Sequence, residues 1–132
     1  MADEISARRE RANAFFAALH TGAIAAIGYL VEKQLLGWIL IVSLLGGLPF
    51  SYLWYRIIRS YRDLNTAKFK VIHEIEALLP LRPYDAEWEA VGRGEDKELY
   101  LPFTHIEIKV PVVFMVAHLL IALVVLIAML WF

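Results

Sequence analysis

Two histidines stand in stretches that otherwise hold few polar side chains, His20 in the run 12–31 and His118 in the run 111–132. An ionisable group inside such a run is costly in lipid and often functional. Imidazole is the mildest case, because its neutral form donates one hydrogen bond and its unperturbed pKa is about 6.5. Measured from the ends of the runs that adjoin the charged middle of the chain, both rings lie at similar depth, on the order of 10–12 Å by helical rise. The expectation is that the two imidazoles approach each other or share a cavity. Asn13 lies seven residues before His20 and so on the same helical face. Three uses fit these groups: a structural interhelical hydrogen bond, a wet lumen or pH-sensing site built from Asn13, His20 and His118, or contact with lipid headgroups.

Other chemistry has little support. His73 and Glu76 share a helix face at i,i+3. That is half of a metal site at most, since zinc takes three or four ligands at defined spacing. Asp85, Glu87, Glu89, Glu95, Asp96 and Glu98 form an acidic loop without the spacing of a calcium hand. Ser and Thr residues have no His/Asp partner at a readable interval. Gly92-Arg93-Gly94 is too short for a phosphate loop, and basic stripes interleaved with aromatics are missing. The expectation is no catalytic residue, no metal, no cofactor and no nucleic-acid partner.

The elements that position these residues follow from three apolar runs, 12–31, 35–55 and 111–132, each about 20 residues long and so able to cross the ~30 Å hydrocarbon core as one helix. The 132-residue chain is 60% hydrophobic, above the roughly half expected of a soluble domain, and the excess sits in those runs. The absence of Cys excludes disulfides and thiolate chemistry. Arg8, Arg9 and Arg11 precede the first run, and Ala23, Ala25 and Ala26 resemble a cleavage region. The run continues through Ile27–Val31, which points to an uncleaved span.

Of 13 Lys and Arg residues, only Lys33 lies in the turn between the first two runs. The other twelve flank the opposite ends, so the positive-inside rule places the N-terminus and the insert 56–110 in the cytoplasm. Trp54 and Tyr55 suit the cytoplasmic interface, and Tyr29, Trp38 and Trp131 the other.

Ala14, Ala18, Gly22 and Ala26 fall four apart and form a small-residue stripe, a helix-packing signal in lipid. Pro49 should kink the second span after Gly46-Gly47. Thr104 and Glu107 read as a capping box, and Pro111 either kinks the third helix or restarts it. From Arg56 to Leu79 the seam Ile57, Tyr61, Leu64, Val71, Ile75 and Leu78 is helical, with Lys70 and Glu74 as an i,i+4 pair. One long helix should leave the membrane and end at Pro80. Its seam is too long for the remaining insert to cover, so the same helix of neighbouring copies is the simplest cover. Residues 80–103 read as loop with one short helix that Asp85 caps. Tyr84, Trp88, Tyr100 and Phe103 could anchor that loop.

Tyr61–His73, Glu76, Leu79-Pro80, Pro83–Trp88, Thr104–Glu107 and Val110-Pro111, together with Arg11–Phe16, resemble the RipA-type family of octameric bacterial membrane proteins. The resemblance implies an inner-membrane protein that assembles as a ring of eight; it does not imply a reaction. Within its motif, Arg62, Asn65, Lys68, Glu76 and Trp88 suit polar pairing between helices or subunits; a solvated charged face is the alternative, with pairs worth ~0–1 kcal/mol each.

The expected architecture is all-α: three transmembrane helices, the second extended into a long cytoplasmic helix, and a short loop/helix insert before the third. The expected segments are 1–11, the hairpin 12–55, the insert 56–110 and the last span 111–132. Packing of copies is expected at Ala14, Ala18, Gly22, Ala26, Tyr61, Leu64, Val71 and Ile75. Partners are the chain itself, membrane lipid and another envelope protein. The expected role is a non-enzymatic scaffold or regulator in the inner membrane, working through its cytoplasmic crown. The alternative is a pore with a helix-lined lumen.

Overall fold

The structure is a computed structural model that describes residues 2–98 and 103–131, with backbone alone at 2, 3, 103 and 104. Among the described residues every regular element is helical. Helix α1 is Ala2–Glu32, α2 is the continuous rod Leu36–Glu76, α3 is Pro83–Ala90, α4 is Phe103–Glu107 and α5 is Lys109–Trp131. Three stretches, Glu4–Glu32, Leu36–Glu76 and His105–Trp131, are long and apolar enough to cross a membrane.

Helix α1 runs unbroken through 2–11 because Arg, Glu and Ala there are good helix formers. It ends in a reversal at Gln34, whose φ of 58° is left-handed. Leu35 N–H bonds Leu30 C=O at 2.9 Å and Gln34 N–H bonds Val31 C=O at 3.0 Å, the pattern of a Schellman cap on a non-glycine residue.

The prolines act in two ways. Pro49 has no N–H for the carbonyl of Leu45, and its ring crowds that carbonyl. The chain answers with a π-helical stretch, Val42–Gly47, closed by Leu48 N–H on Ser43 C=O. The kink expected of Pro49 is thus a widened turn inside a continuous rod. Pro111 crowds Glu107 C=O in the same way, and there the helix breaks at Ile108 and restarts at Lys109. Pro111 is a first-turn residue of α5.

At 41 residues α2 is roughly 60 Å long, about twice the hydrocarbon thickness of a bilayer. It stops at Glu76, four residues before Pro80. Leu78 N–H and Leu79 N–H then bond Ile75 C=O and Glu76 C=O, three residues back, because the residue before a proline avoids the α region. Short α3 folds back onto the C-terminal extension of α2. The capping group is Glu76 rather than Asp85: its buried carboxylate accepts Tyr84 N–H at 2.7 Å, Asp85 N–H at 3.2 Å and His73 Nδ1–H at 3.2 Å. Asp85 lies inside the helix and pairs with Arg93 at 3.3 Å. Arg93 also reaches Glu89 at 3.6 Å. The expected Lys70–Glu74 pair is not among the ion pairs of the described residues.

Two buried clusters hold the spans together. Phe16, Trp54 and Ile58 form one on the side of the insert, with Phe114 against them. Ile27, Ile39 and Val125 form the other on the side of the Gln34 turn.

Candidate functional site

The polar groups of the spans lie between those two clusters and at the insert-side end, on the inner faces of α1, α2 and α5. Spacing dictates the arrangement. Asn13, Phe16, His20 and Ile27 recur at three, four and seven, so α1 turns one stripe inward. Ser43, Gly47 and Ser51 fall four apart on α2, and all three are buried.

At the insert-side end, Glu107 Oε1 accepts from Asn13 Nδ2 at 2.9 Å and stands 3.6 Å from Arg9 Nε. The Thr104–Glu107 capping box is therefore not where this carboxylate points; the side chains of Thr104 and Phe103, and the whole of Tyr100, lie outside what the structure describes. Asn13 Oδ1 accepts from Trp54 Nε1 at 2.9 Å, which uses the indole's one donor. Trp54 is 3% exposed and so turns its ring into the bundle. Its ring stacks on Phe16 with centroids 5.8 Å apart.

One layer deeper, His20 Nδ1 lies 3.3 Å from His118 Nε2. Both histidines are 1% exposed. Ser51 Oγ lies 3.3 Å from His20 Nε2 and donates to Gly47 C=O at 2.7 Å. The His118 ring lies flat against Gly47, where a Cβ of any other residue would overlap its Nδ1, Cγ and Cε1 atoms. Gly47 is thus the seat that lets the histidines meet. Ser43 Oγ, His118 Nδ1 and Glu107 Oε2 are buried with no hydrogen-bond partner among the described residues.

The structure brings Asn13, His20 and His118 together inside a single bundle. His20 and His118 are buried within the protomer, while Asn13 is half-buried at its insert-side end. The stripe Ala14, Ala18, Gly22 and Ala26 points outward. Ala18, Gly22 and Ala26 form one wall of an open groove of about 680 Å³ whose other wall is Ile41, Leu45 and Phe50 of α2. Leu64, Val71 and Ile75 on the extension are each more than half exposed, and Tyr61 partly so. Arg62 is exposed, Asn65 and Lys68 are half-buried, and Trp88 is 38% exposed. Glu76 alone of that motif is buried, as the cap of α3.

Sequence reasoning missed Ser43, Ser51, Gly47 as a seat, and the inward use of Trp54 and Glu107. The signal available for the first three was their four-residue spacing around the Gly46-Gly47 pair.

A model of the octameric membrane protein family (8xMP) matches residues 1–127. No curated protein and no solved structure matches the chain.

Proposed function

Since the chain belongs to the octameric membrane protein family, we propose that it serves as a non-catalytic scaffold in the cytoplasmic membrane, with its N-terminus and insert inside the cell. One observation carries the reading: His20, Ser43, Ser51 and His118 are buried within the protomer, while large apolar side chains of the spans face out. Ile24, Leu45, Val113, Leu120 and Val124 are all half exposed or nearly so, or more. A ring built from such faces has an axis lined by aliphatic side chains, which suits lipid and not water or ions. Beyond the bilayer, the exposed seam Leu64, Val71 and Ile75 offers apolar contact area to other copies or to a further envelope protein. The excess of Lys and Arg on the insert side supports the orientation.

Purified protein in liposomes tests the role. The scaffold predicts ion flux no greater than in protein-free vesicles, and a partner retained in gentle detergent that is lost when Val71 and Ile75 are made Ser. Flux that rises with protein content would establish the pore instead.

A further inference from the structure

We propose that His20 and His118 form a binding site for a single proton, which enters at His118 Nδ1 and leaves the positive charge on His20. The hydrogen bonds fix the tautomers. Ser51 has one hydroxyl proton, and it goes to Gly47 C=O at 2.7 Å. Ser51 Oγ therefore accepts from His20 at 3.3 Å, so His20 carries its proton on Nε2. His20 Nδ1 is then bare and accepts from His118 at 3.3 Å, so His118 also carries its proton on Nε2. His118 Nδ1 is left as a bare acceptor, buried and without a partner among the described residues. It is the one open end of the chain of bonds.

A proton arriving at His118 Nδ1 needs no change of side-chain position. The His118 Nε2–H bond breaks as a His20 Nδ1–H bond forms, and His118 is neutral again as its Nδ1–H tautomer. His20 becomes an imidazolium with both N–H groups already placed, one on His118 Nε2 and one on Ser51 Oγ. Its ring lies near-parallel to Phe114, 4.7 Å between centroids at 21°, and to Trp54, 5.7 Å at 21°. Aromatic faces of this kind favour a cation. Among the described residues no other titratable side chain pairs with or stacks on the two rings: their neighbours are Ser51 and Trp54 from α2 and Phe114 from α5, with Gly47 against His118. The Arg9–Glu107 pair lies one layer away, beyond Asn13 and Trp54. A second proton would set two cations at hydrogen-bond distance, so the site takes one.

Nitrogen-15 NMR of histidine-labelled protein in bilayers, with His73 and His105 replaced by Gln, reads each ring directly. At neutral pH both remaining rings should be protonated on Nε2 alone. On acidification one proton per chain should be taken up, giving one imidazolium on His20 and an Nδ1–H tautomer on His118. Phe114→Leu should leave the neutral tautomers unchanged and require a lower pH to charge the pair. The proposal is overturned by an Nδ1–H on His118 at neutral pH, by both rings charging together, or by no uptake before the assembly dissociates.

Discussion

The insert-side half of the bundle and its turn-side half are built from the same three helices and held by different forces. The insert-side half runs Arg9, Glu107, Asn13, Trp54, then His20, each linked to the next by a hydrogen bond, an ion pair or a stacked ring, and His20 in turn meets both His118 and Ser51. The turn-side half has Ile27, Ile39 and Val125. Lipid tails are as apolar as these side chains, so their contact has only van der Waals packing to favour it over lipid. The polar half therefore sets the rotation and register of the helices, and the apolar half fills the space that results.

The largest expected effect is at the seat of the histidines. Gly47→Val drives a branched side chain into the His118 ring, and should cost about 3 kcal/mol or more by overpacking, with loss of the His20–His118 bond besides. Reversible unfolding in mixed detergent, followed by Trp fluorescence, measures it. Asn13→Leu comes next. It strips Trp54 Nε1 of its acceptor and Glu107 Oε1 of its donor, and should cost about 1–3 kcal/mol by the same assay.

On the turn side, Ile39→Val removes one methylene from a fully buried residue and should cost about 1 kcal/mol or less, since lipid competes with the lost contact. Equal costs for Ile39→Val and Asn13→Leu would end the division between the halves. The smallest effect lies at the reversal. Gln34→Gly relieves a left-handed residue and should stabilise by about 0.5 kcal/mol, read as a small rise in melting temperature.

The sequence made some of this legible and hid the rest for physical reasons. The three spans were legible because twenty apolar residues in a row have few other uses. The His20–His118 encounter was legible because two costly groups at one depth gain by meeting. The inward turn of Trp54 is hidden because an indole suits the membrane interface as well as it suits the core, and the partner that holds it, Asn13, is 41 residues away. Glu107 reads as a local cap because Thr104 is three residues off, while the partner it takes is 94 residues away. Ser43, Ser51 and Gly47 are small, common residues that signal nothing alone. The π turn that presents them follows from Pro49, whose presence predicted a disturbance and not its form.

The account's central claim is that the histidines and serines of the spans are held inside each protomer, leaving aliphatic surfaces around the axis of the assembly. An electron cryo-microscopy map of the assembly in lipid nanodiscs tests this directly. The account predicts His20 and His118 in contact within every protomer, and lipid density filling an axis lined by side chains such as those of Ile24, Leu45 or Leu123. A water-filled axis lined by Asn13, His20 or His118 would contradict it.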